Sequence, residues 1–113
     1  MKLKMIAGAV AATFALLAAP HASAADAAAA QALAKKEGCL KCHAIDKAKE
    51  ASSLKDIAKK YAGKADAQAS MEKHLLTGAK VKLEDGTEEE HKIPKTKDKG
   101  EISNLVAWIL SLK

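Results

Sequence analysis

The sequence predicts an all-α domain of about four helices behind a leader that is removed. Helix-forming or helically spaced apolar residues fill four segments, and glycines or capping acids punctuate their ends. The one long interval between them is hydrophilic and contains Pro94. A chain of 113 residues makes at most one domain.

The leader comes first. Lys2 and Lys4 precede a run from Met5 to Ala19 that is apolar apart from Gly8 and Thr13, and Pro20 then leads to Ala22-Ser23-Ala24. This is the pattern of a secretory signal peptide cleaved after Ala24, giving a leader over residues 1–24 and a domain over 25–113. The apolar run falls short of the roughly 20 residues that span a bilayer. The longest later apolar run is Leu105 to Leu110, so the remaining chain is expected to be soluble, with no stable membrane insertion.

The first helix begins at Asp26, an acid able to cap it, and runs to about Glu37 before Gly38. The second places Leu54, Ile57, Ala58 and Tyr61 on one face and closes at Gly63. The third carries Met71 and Leu75 one turn apart and ends at Gly78. Between Gly78 and Gly100, Val81 and Leu83 alternate with charge, Asp85-Gly86 signals a hairpin turn, and Pro94 forbids a helix. The expectation there is a loop with a short hairpin. The last helix is the best signalled: Asp98 and Glu101 form a capping box, and Ile102, Leu105, Ile109 and Leu112 recur at helical spacing.

Composition narrows the function. The formal net charge of +5 falls once Lys2 and Lys4 leave with the leader, which is too little to suggest nucleic acid. One Phe, itself in the leader, one Tyr and one Trp make a poor apolar core for a chain this short. A staple or a large apolar cofactor would complete it.

The only two cysteines lie in "EGCLKCHAID", Glu37 to Asp46. A disulfide between Cys39 and Cys42 would close too small a loop to add much constraint. A thioredoxin-like redox pair needs a strand before and a helix after the motif, and here a helix precedes and a loop follows. A zinc-binding interaction module could draw on Cys39, Cys42 and two of His43, His74 and His91, but His43 is adjacent to Cys42, an awkward bite for tetrahedral closure. The C-x-x-C-H spacing suits c-type haem attachment: both sulfurs reach vinyl groups on one haem edge and His43 swings beneath the iron as proximal ligand.

With "GCLKCHAID", "LKDIAKKYAG", "MEKHLLTG" and "LVAWILSLK" in that order, the sequence resembles class I c-type cytochromes, in particular the small bacterial c551/c552 group. The resemblance implies the small class I cytochrome c fold, about four helices around one covalently attached haem c. It also implies a soluble periplasmic monohaem protein that carries one electron at a time between redox partners, without a catalytic residue.

Two departures bear on the site. The group usually has Gly-Pro after the haem histidine to steady the proximal side, where this chain has Ala51-Ser52. Its sixth iron ligand is a methionine in the loop before the last helix, and no methionine lies between Gly78 and Gly100. The remaining candidates are Met71, His74, His91 and Lys95. His91 is preferred: it lies in the expected loop, stands at the family's separation from Trp108, and a neutral imidazole is a good iron donor. Met71 reads as core filling, His74 as a propionate partner or solvated residue, and Lys95 would have to lose its proton. The expected haem contacts are thus Cys39, Cys42, His43, His91, Ile93, Pro94 and Trp108, with His43 and His91 on the iron.

Bis-histidine ligation implies a lower reduction potential than in histidine-methionine relatives. The alternative is a haem with an open or labile sixth site that binds gases or acts as a weak peroxidase. Lys35, Lys36 and Lys41 flank the attachment motif and Lys92, Lys95, Lys97 and Lys99 the distal loop, a candidate docking ring for acidic redox partners on a monomer. Glu88, Glu89 and Glu90 break the uniformity of that face. Intact-mass analysis of the exported holoprotein should find a chain starting at Ala25 or one residue on; retention of residues 1–24 would contradict the leader.

Overall fold

The computed structural model describes residues 24–113 and, upstream, only Lys2, Gly8, Ala9, Ala11 and Ala12. The expected leader lies almost wholly outside the described residues. Four helices follow, α1 (Ala27–Lys36), α2 (Leu54–Tyr61), α3 (Ala67–Thr77) and α4 (Lys99–Ser111), with a two-stranded sheet of β1 (Lys80–Lys82) and β2 (Glu88–Glu90). Among the described residues no helix is long and apolar enough to cross a membrane.

Helix α4 is the centre of the packing, since α1, α2 and α3 all lie against it. Its stripe of Ile102, Leu105, Val106, Trp108 and Ile109 is buried. Helix α1 meets α4 through Ala30, Leu33 and Ala34, and the two alanines let the backbones approach closely. The first residues are tied to the same helix, because the Asn104 side-chain amide donates to the Asp26 carbonyl and its oxygen accepts the Asp26 N–H.

Local chemistry sets each boundary. The Asp26 carboxylate caps α1 by accepting the Ala29 N–H at 3.0 Å, and Ser53 caps α2 through the Asp56 N–H at 3.0 Å. Helix α3 ends where Gly78 turns left-handed with φ of 61°. Asp98 caps α4 by accepting from Gly100 and Glu101. The reciprocal half of the expected capping box differs: the Asp98 N–H goes to the Thr96 hydroxyl, which in turn donates to the Glu101 carboxylate. Thr96 thus stands between the two ends of the box.

The hairpin forms where the alternation and Asp85-Gly86 predicted it. Strands β1 and β2 pair antiparallel with Lys80 opposite Glu90, Val81 opposite Glu89 and Lys82 opposite Glu88. The Asp85 carboxylate accepts from both the N–H and hydroxyl of Thr87, which shapes the turn and holds its own pKa below the ordinary value. Just before the turn the Glu84 N–H donates to the Glu50 carbonyl at 2.9 Å, so the hairpin is tied to the loop after the cysteine motif.

Candidate haem-binding site

The cysteine motif begins with a change of backbone direction. Gly38, with φ of 77°, ends α1 in the left-handed region that side chains disfavour, and the chain passes directly into a single 3-10 turn over Cys39–Lys41. The Cys39 carbonyl accepts the N–H groups of both Cys42 and His43, which winds Cys39, Cys42 and His43 onto one short arc. Both cysteines are free thiols, half-buried, and burial is the main reason their pKa values lie above the ordinary one. The Glu37 charge adds to this at Cys39; at Cys42 a hydrogen bond to the Glu50 carboxylate and its charge add to it. Before haem attachment this favours the neutral S–H form of both sulfurs.

His43 donates its Nδ1–H to the Ser52 carbonyl at 2.7 Å. A carbonyl can only accept, so the proton sits on Nδ1 and the Nε2 lone pair is left for a metal. The segment around Ser52 is itself fixed, with the Ala51 N–H on the Cys42 carbonyl and the Leu54 N–H on the Ala44 carbonyl. Backbone hydrogen bonds here steady the proximal side without Gly-Pro.

His91 follows β2, with its N–H on the Ala79 carbonyl at 2.9 Å. Its Nδ1–H donates to the Lys92 carbonyl at 3.0 Å, which again leaves Nε2 free. Burial, and secondly the His74 charge, push its pKa down and favour the neutral form that can ligate.

The ring centroids of His43 and His91 are 6.2 Å apart. Imidazole–metal bonds of about 2.0–2.1 Å, as to zinc, and a ring radius of about 1.1 Å would set two rings on opposite sides of one metal about 6.3 Å apart. The separation of His43 and His91 is close to that value. His74 and His91, at 4.8 Å, are too close to bracket a metal between them. Burial, then Lys60 and His43, lower the His74 pKa.

Around these rings opens a cleft of about 670 Å³, within the range of small-molecule and cofactor sites. Leu54, Ile57, Met71, Leu75, Leu105 and Ile109 give it apolar walls, and Cys39, Cys42, His43, His74, His91 and Pro94 also line it. Two expected contacts stand elsewhere. Ile93 is 48% exposed and rests against Gly78, while Trp108 is buried in the core; neither is among the lining residues. Met71 belongs to the core as well as the cleft wall. The Lys95 side chain is exposed and outside the lining.

Sequence reasoning missed Glu37. It is buried, lines the cleft, and accepts backbone N–H groups from Lys95 at 2.7 Å and Thr96 at 3.2 Å. The signal was present: an acid in the last turn of a helix opposes the helix dipole, so it needs another partner.

Residues 27–113 match the cytochrome c family. The chain belongs to the cytochrome c family. A cytochrome c2 of Rhodocyclus tenuis is 36% identical over 83 residues, covering 73% of this cytochrome and 90% of that protein. Cytochrome c-551 of Pseudomonas aeruginosa is 32% identical over 88 residues, 74% of this chain and 76% of its own. Among solved structures, the class 1 cytochrome MtoD of Sideroxydans lithotrophicus ES-1 is 49% identical with a TM-score of 0.76, covering 79% of this chain and 98% of that one. Wild-type Nitrosomonas europaea cytochrome c552 is 31% identical with a TM-score of 0.59, covering 74% of this chain and 99% of that one. The fold is thus that of a small class I c-type cytochrome, and its cofactor is one covalently attached haem c on the Cys39–Cys42–His43 motif.

Because the same apolar residues line core and cleft, this cytochrome is incompletely packed until the cofactor is in place. Replacing Cys39 and Cys42 together by Ala should abolish covalent haem staining after denaturing electrophoresis and remove most of the helical circular dichroism of the domain. Native helicity without haem would contradict this.

Proposed function

We propose that this chain is a soluble periplasmic monohaem cytochrome with His43 and His91 as axial ligands, serving as a one-electron carrier between redox proteins. The observation that carries the ligand assignment is the pair of imidazoles with centroids 6.2 Å apart, each with Nδ1–H on a backbone carbonyl and Nε2 free. The role as carrier is supported by kinship with the cytochromes c. In this reading residues 1–24 are the export leader and residues 25–113 the domain that acts as a monomer.

Haem c, when bound, supplies a one-electron couple at its iron. The protein's residues do the rest by holding still. Cys39 and Cys42 would hold it through thioethers, and the Ser52 and Lys92 carbonyls fix both imidazole tautomers. Leu54, Leu75, Leu105 and Ile109 keep water from the apolar walls. No side chain would have to give or take a proton, which suits fast electron transfer.

Exposed lysines surround the site. Lys41 and Lys92 border the cleft, and Lys35, Lys36, Lys95, Lys97 and Lys99 lie exposed in the segments beside it. On the hairpin Lys80 and Lys82 face Glu90 and Glu88, so that side is of mixed charge. Acidic redox partners would dock on the lysine side, by attraction that weakens with salt.

An imidazole in place of a thioether stabilises the ferric state, so the potential should lie below those of histidine-methionine cytochromes. His91→Met should raise it by on the order of a hundred millivolts, a fraction of the roughly 0.8 V that axial ligands span. His74→Ala should leave the low-spin ferric spectrum unchanged. An unchanged low-spin spectrum in His91→Ala, with a high-spin one in His74→Ala, would move the ligand to α3 and sink the assignment.

A further inference from the structure

Glu37 joins the two halves of the site. It is the last residue before the Gly38–Cys39 turn, and its side chain is only 5% exposed. One carboxylate oxygen accepts the Lys95 N–H at 2.7 Å and the other the Thr96 N–H at 3.2 Å, across 58 and 59 residues of chain. Pro94, buried in the cleft wall, has no N–H, so these are the first backbone donors beyond it. Bonds to an ionised acceptor are roughly twice as strong as neutral ones.

The anchored segment is the one that leaves His91. Upstream, His91 is held by its N–H on the Ala79 carbonyl, and Ile93 lies where a side chain on Gly78 would collide, its Cδ1 3.2 Å from that position. Downstream, residues 94–96 are fastened to the attachment corner by Glu37. The loop is thus pinned on both sides of His91, and the downstream pin is attached to the same corner that carries Cys39 and, four residues on, His43.

We propose that Glu37 is a positioning residue that keeps His91 seated as the distal ligand by clamping the loop to the haem-attachment corner. This rests on the bis-histidine reading above. Without the carboxylate the Lys95 and Thr96 N–H groups lose their acceptor, and the closed loop loses an advantage of roughly tenfold per bond. A ligand that competes with His91 binds in proportion to the fraction of open site.

The test is carbon monoxide binding to the ferrous holoprotein, with thermal unfolding of the same samples. His91→Ala sets the rate for a site with no distal side chain. Glu37→Ala should bind roughly ten- to a hundredfold faster than the unmodified protein. Glu37→Gln, which keeps an acceptor oxygen, should fall between, and decides the matter by a several-fold increase if Glu37→Ala does not fold. Wild-type kinetics in a destabilised Glu37 variant would overturn the inference and leave Glu37 a purely structural residue. If His91→Ala itself binds no faster than the unmodified protein, the ligand assignment fails, and this inference with it.

Discussion

The structure turns on the gap between two imidazoles. His43 is delivered by a 3-10 turn directly after α1, and His91 by the strand that ends a hairpin. The turn is fixed by Gly38 and by bonds to the Cys39 carbonyl; the hairpin is tied to Glu50 at one end and followed by the Glu37 clamp at the other. Helix α4 supplies the wall on which both depend, since Leu105 and Ile109 serve core and cleft together. Core packing therefore helps to set the distance between the two rings.

A second consequence concerns charge. Glu37 acts on Cys39, and Glu50 and Glu89 on Cys42, while Lys92 and Lys49 oppose them. Negative charge near a haem edge favours ferric iron, in the same direction as a second imidazole. Under the proposed bis-histidine ligation, ligand set and surroundings would act together toward a lower potential, with the lysines beside the cleft opposing them.

Much of this was legible in the sequence because it is local. Glycines 38, 63 and 78 each adopt positive φ near a helix end, Asp26 and Asp98 cap as their positions suggested, and Asp85-Gly86 turns the hairpin. The C-x-x-C-H spacing carries the cofactor, for reach and adjacency are covalent facts. The illegible parts are long-range. Nothing in the string tells that the Ser52 carbonyl takes the place of Gly-Pro, or that Glu37 reaches Lys95 and Thr96. Ile93, two residues after His91, lies against Gly78, while Pro94 is at the cleft wall. Thr96 interrupts the capping box for a similar reason, its hydroxyl lying between Asp98 and Glu101.

The central claim is that His43 and His91 bracket the iron. The most direct measurement is the electron-resonance and near-infrared magnetic circular dichroism spectrum of the unmodified ferric holoprotein, which reports the chemical identity of both axial donors. A low-spin spectrum with the charge-transfer energy of two imidazoles is the predicted result. A thioether or amine signature, or a high-spin ion with an open site, would contradict it.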